Sequence, residues 1–80
     1  MGKNKKAAVH LIIHGRVQGV GFRYFTQTKA QDLGLGGWVK NLWNGTVEIK
    51  AEGPTEKLKH LVNAVRRGPS TAWVERVEQE

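Results

Sequence analysis

The chain has 80 residues, 39% apolar and 25% charged, with a net charge of +6 and no cysteine. That length holds one domain around a single small core. The missing cysteines exclude disulfides, thiol nucleophiles and cysteine-ligated metals, and no apolar run is long enough to cross a bilayer. A cytoplasmic protein that binds no membrane is the expectation. The positive charge favours anionic partners, but Lys3, Lys5 and Lys6 must be discounted. They fall in residues 1–6, read as a flexible basic tail ahead of one domain at residues 7–80.

In chain order, residues 7–14 put Val9, Leu11 and Ile13 on one side, which predicts a first strand. A glycine-rich loop follows. Phe22, Phe25, Thr26, Ala30 and Leu33 then recur at helical spacing, with Gly34 as a stop. Residues 38–42 form a short second strand. Asn44-Gly45 is a tight hairpin turn into a third strand at residues 46–51. Gly53-Pro54 opens a second helix with Leu58, Leu61, Val62 and Val65 on one stripe, and Gly68-Pro69 ends it. A fourth strand covers residues 72–78, its alternation slipping before Val77 as at a bulge.

The order β-α-β-β-α-β predicts an α+β fold, the ferredoxin-like split β-α-β sandwich, with two helices on one face of an antiparallel sheet. In that arrangement strands one and two run the same way with strand three between them. The loop after strand one and Asn41 at the end of strand two then meet at one end of the sheet.

The segment His14-Gly15-Arg16-Val17-Gln18-Gly19-Val20-Gly21-Phe22-Arg23 carries the chemistry. Glycine accepts the positive φ angles that let backbone N–H groups curl around an anion. The helix behind adds unbonded amides and the positive end of its dipole. Arg23 adds a planar charge that matches phosphate oxygens two at a time. The spacing is neither G-x-G-x-x-G nor a Walker loop, so the loop alone leaves a plain strand-to-helix turn open.

Five segments taken together resemble the acylphosphatase family. They are residues 15–23, Leu33-Gly34-Leu35-x-Gly37-Trp38-Val39-Lys40-Asn41, Asn44-Gly45-Thr46-Val47-Glu48, Gly53-Pro54, and Gly68-Pro69-Ser70-Thr71-Ala72-x-Val74. The resemblance covers the chain from Val9 to Val77. It implies hydrolysis of the carboxyl–phosphate bond of acyl phosphates, releasing carboxylate and inorganic phosphate. It implies a phosphate-binding loop formed by Gly15, Arg16, Val17, Gln18, Gly19, Val20, Gly21 and Phe22, with Arg23 and Asn41 as the catalytic residues. Asn41 would orient the attacking water; no metal and no cofactor are implied. Relatives also carry a short fifth strand beside strand two. The sequence given ends at Glu80, so the expectation is an open edge at residues 38–42, lower stability than in longer relatives, and a monomer with some self-association through that edge.

Other residues compete for attention. His10 and His14 share the strand parity opposite Val9, Leu11 and Ile13 and read as an outward pair, while His60 lies on the second helix. Arg16 either steers anions or is merely solvated. Trp38 and Trp73 read as sheet residues. Trp43 either touches an apolar acyl group or caps the hairpin, the plainer reading. The competing function is a non-catalytic module on the same fold that binds phosphate, another anion or nucleic acid. Residues 46–51, which would have to stack RNA bases, contain no aromatic and one acid, so no nucleic-acid partner is expected.

Overall fold

The computed structural model of the protein describes residues 5–80. Its elements are β1 (Lys6–Arg16), α1 (Phe22–Asp32), β2 (Gly36–Asn41), β3 (Val47–Pro54), α2 (Thr55–Arg67) and β4 (Trp73–Gln79). The four strands form one sheet in the order β2-β3-β1-β4, every neighbouring pair antiparallel. The α+β sandwich expected from the element order is the observed fold.

Strand alternation sorts the residues of β1 between two environments. Leu11 and Ile13 are fully buried and join Val47, Ile49 and Ala51 of β3 under the helices. Phe22 of α1 and Leu58, Leu61 and Val65 of α2 complete this core. Each of these side chains larger than alanine contributes roughly 1.5–3 kcal/mol when removed from water. The opposite parity, His10, Ile12 and His14, faces outward.

α1 stops where expected. Gly34 takes a φ of 71°, and the Leu35 N–H reaches back to the Ala30 carbonyl at 2.9 Å, which closes the last turn. β4 also carries the expected irregularity. His14 faces Arg76 but Gly15 faces Val74, so Glu75 is the extra residue ahead of Val77.

Two boundaries differ from the sequence reading. Gly53-Pro54 does not open the second helix; it completes β3, with Pro54 opposite Lys6. Pro54 is held extended at φ −61° and ψ 138°, so helical geometry begins only at Thr55. Lys5 and Lys6, assigned to the tail, are part of ordered structure. Lys6 begins β1, and the Lys5 carbonyl accepts bonds from the Thr55 N–H at 3.0 Å and Oγ1 at 3.2 Å. The remainder of the proposed tail lies outside the described residues.

Candidate active site

The 15–21 loop is shaped by glycines that do two different jobs. Gly15, Gly19 and Gly21 have φ of 133°, 74° and 79°. A Cβ on Gly15 would stand 2.1 Å from the Trp73 carbonyl oxygen, so glycine lets β1 and β4 approach there. A Cβ on Gly19 or Gly21 would meet nothing within 4 Å. Those two set the backbone curl and leave the outer surface of the loop bare. Val17 and Phe22 face inward and are buried at 1% exposure, so any functional part they play is through their amides.

Gly21 is the N-cap of α1 in left-handed geometry and makes no side-chain cap bond, and the first turn holds no acid. The amides at this helix end are therefore not satisfied by a capping side chain, and the positive dipole end is not neutralised. Arg23, on that same turn, is exposed.

Asn41 ends β2. Ile13, Val47 and Asn41 stand abreast across β1, β3 and β2, which sets Asn41 about 10 Å from Ile13, three residues before the end of β1, at ordinary strand spacing. Gln18 bridges that gap. Its Nε2 donates to the Leu42 carbonyl at 2.7 Å and to the Thr46 carbonyl at 2.8 Å, tying the loop to the neck of the β2–β3 hairpin. The neck is closed by the Leu42 N–H on Thr46 O at 2.9 Å, and Asn44 Oδ1 accepts from Thr46 N and Oγ1. On the other flank, Thr71 Oγ1 donates to the Val20 carbonyl at 2.7 Å. The loop is thus fastened on both sides.

The tie from Gln18 to the hairpin neck has no local sequence signal, because 24 and 28 residues separate the partners. Thr71 likewise gave no signal beyond its place among the resembling segments. Trp43 does not cap the hairpin: it is 97% exposed, and Asn44 does the capping. Trp38 and Trp73 are sheet residues as expected, and Lys40 Nζ lies 5.1 Å from the Trp38 ring centre.

His10 and His14 have carboxylate partners on the outward sheet face. His10 Nε2 lies 2.6 Å from Glu48 and Nδ1 lies 3.0 Å from Glu80. These carboxylates, Glu48 first, raise the His10 pKa above its ordinary value. His14 Nε2 lies 2.8 Å from Glu78, and that hydrogen bond lowers the Glu78 pKa. Among the described residues no group of three His, Asp or Glu is placed to hold a metal ion, and no helix is long and apolar enough to cross a membrane.

Comparison with known proteins identifies the family and the fold. The acylphosphatase family model matches residues 9–80. An acylphosphatase of Thermococcus kodakarensis is 49% identical over 74 residues, covering 92% of this chain and 81% of that protein. One of Salinibacter ruber is 54% identical over 66 residues, covering 82% and 70%. The crystal structure of the Bacillus subtilis acylphosphatase superposes with a TM-score of 0.90 at 45% identity, covering 95% of this chain and 83% of that one. The chain belongs to the acylphosphatase family, enzymes that hydrolyse acyl phosphates.

Proposed function

We propose that the phosphate of the substrate rests on the amides of the 15–21 loop and the first turn of α1, clamped by Arg23, while Asn41 orients the attacking water. The water oxygen bonds to phosphorus as the bond from phosphorus to the acyl oxygen breaks. The carboxylate leaves with that electron pair, and the proton of the water passes to a phosphate oxygen. A carboxylate is a weak base, so no strong general acid is needed. Phosphoryl transfer then depends on position and on stabilising charge at the equatorial oxygens. Arg23 and preorganised amides supply that charge without a metal or organic cofactor. Asn41 can accept or donate a hydrogen bond to water but cannot take its proton at neutral pH.

The observation that carries this reading is the double hydrogen bond from Gln18 to Leu42 and Thr46, because it joins the loop to the strand end that bears Asn41. The test is hydrolysis of benzoyl phosphate in the presence of EDTA, comparing the parent with Arg23→Ala. The parent is expected to keep its rate under chelation and the variant to lose about 10²–10³-fold. Equal rates in parent and variant, or a parent silenced by the chelator, would remove the reading.

Among the described residues β2 pairs only with β3, so its outer edge is a template for another strand. A monomer with weak, concentration-dependent pairing through β2 is expected by sedimentation. A sedimentation coefficient independent of concentration up to millimolar protein would sink it.

A further inference from the structure

We propose that the groove running from the 44–46 hairpin turn past Gly15 to β4 receives the acyl group of the substrate at its β4 end, which is walled by Trp73 and Arg16. It favours acyl groups that join a flat apolar body to a second anionic group. This inference rests on the functional reading above and deepens it.

The argument begins with direction. In-line displacement sets the attacking water and the departing oxygen on opposite sides of phosphorus. The sheet order β2-β3-β1-β4 sets Asn41 two strands to one side of β1, and Trp73 one strand to the other. With the water held by Asn41, the acyl group leaves toward β4.

What stands on that side is suited to receive it. The bond from Thr71 Oγ1 to Val20 O fixes the entrance of β4 against the loop, and Arg16 faces Trp73 directly across the β1–β4 register. They form the β4 end of a groove of ≈ 730 Å³ that runs from the hairpin turn at Asn44, Gly45 and Thr46 past Gly15, the first residue of the loop. Trp73 is 68% exposed, which leaves a broad aromatic surface for a flat acyl group. Arg16 is exposed and makes no ion pair among the described residues, so its guanidinium is free for an anion. Two other charged or titratable groups line the groove. His14 is engaged by Glu78 and Arg76, whereas Glu75 adds a negative charge. Acceptance of an anionic acyl group therefore depends on Arg16, the one Lys or Arg in the groove lining.

The experiment compares kcat/KM for acetyl, benzoyl and 4-carboxybenzoyl phosphate in the parent, Arg16→Ala, Trp73→Ala and Trp73→Phe. Both side chains are exposed, and thermal melts will confirm that each variant folds. In Arg16→Ala the preference for 4-carboxybenzoyl over benzoyl phosphate should fall at least about tenfold. In Trp73→Ala the preference for benzoyl over acetyl phosphate should fall about tenfold, and Trp73→Phe should restore most of it. Unchanged preferences in both alanine variants, with Arg23→Ala still inactive, would overturn the acyl subsite and leave the functional reading standing. A folded parent that hydrolyses none of the three would overturn both.

Discussion

The 15–21 loop offers few functional side chains, whereas the outward sheet face, a few residues back along the same β1 strand, is crowded with them. His10, His14, Glu48, Glu78, Glu80 and Arg76 would draw attention in any search for an active site. They satisfy one another through contacts of 2.6–3.9 Å. The loop draws its character from backbone: three glycines with positive φ, and a helix end left without a cap. Groups that neutralise one another have little capacity left for a ligand, while unsatisfied amides have no other partner nearby. Perturbing the two regions should therefore have opposite signatures, activity for the loop and stability for the sheet face. Gly15, at their junction, should show what happens when the scaffold itself is disturbed.

Gly15→Ala should give the largest effect on stability. The new methyl would meet the Trp73 carbonyl at 2.1 Å on a backbone with φ 133°. Overpacking and strain together are worth about 3 kcal/mol or more. That corresponds to a melting temperature lower by roughly 10–20 °C in a domain of this size. Gly19→Ala has open space and a left-handed φ of 74°, so about 1–2 kcal/mol is expected. Thermal melts of the two variants separate these roles. Similar losses at both positions would mean that Gly15 is not the closer contact between β1 and β4.

Asn41 and Gln18 test whether the loop and the hairpin neck act as one device. Asn41→Ala should lower kcat about 10²-fold with a smaller change in KM, since a positioned water matters most in the transition state. Gln18→Ala removes two hydrogen bonds worth about 1 kcal/mol each and frees the neck, so a kcat reduced about tenfold is expected. In the double variant, losses that multiply independently would separate the two residues, and losses well short of the product would couple them.

Much of this arrangement was legible in the sequence because its signals are local. Asn44-Gly45 marks the hairpin, Gly34 the end of α1, and the glycine loop sits between an alternating run and a helical one. Element order alone then brings Asn41 to the loop. What local signals could not supply was the fastening. Gln18 and Thr71 reach partners 24–51 residues away, and a polar residue in a loop reads the same whether it contacts solvent, ligand or a distant carbonyl. Gly53-Pro54 misled for a related reason: the pair is compatible with a helix start, but pairing with Lys6 and Ala7 keeps it in the sheet.

The smallest expected effect belongs to the sheet face and has a defined sign in pH. His10 sits between Glu48 and Glu80, with Lys40 3.7 Å from Glu48, and its pKa is raised above the ordinary 6.5. A group that binds its proton more tightly when folded stabilises the fold while the proton is on. Its contribution is complete below about 6.5 and disappears as pH rises through the raised value. His10→Gln should therefore melt below the parent at pH 5.5, by on the order of a few degrees for a partly exposed pair. The gap should narrow steadily toward pH 9. Glu78, whose pKa is lowered, acts at the other end, stabilising above about 4.5 and losing that effect as pH falls further. The rate of benzoyl phosphate hydrolysis per folded molecule should be nearly unchanged in His10→Gln across this range. A variant that melts with the parent at pH 5.5, or that loses turnover while folded, would erase the division between the two regions.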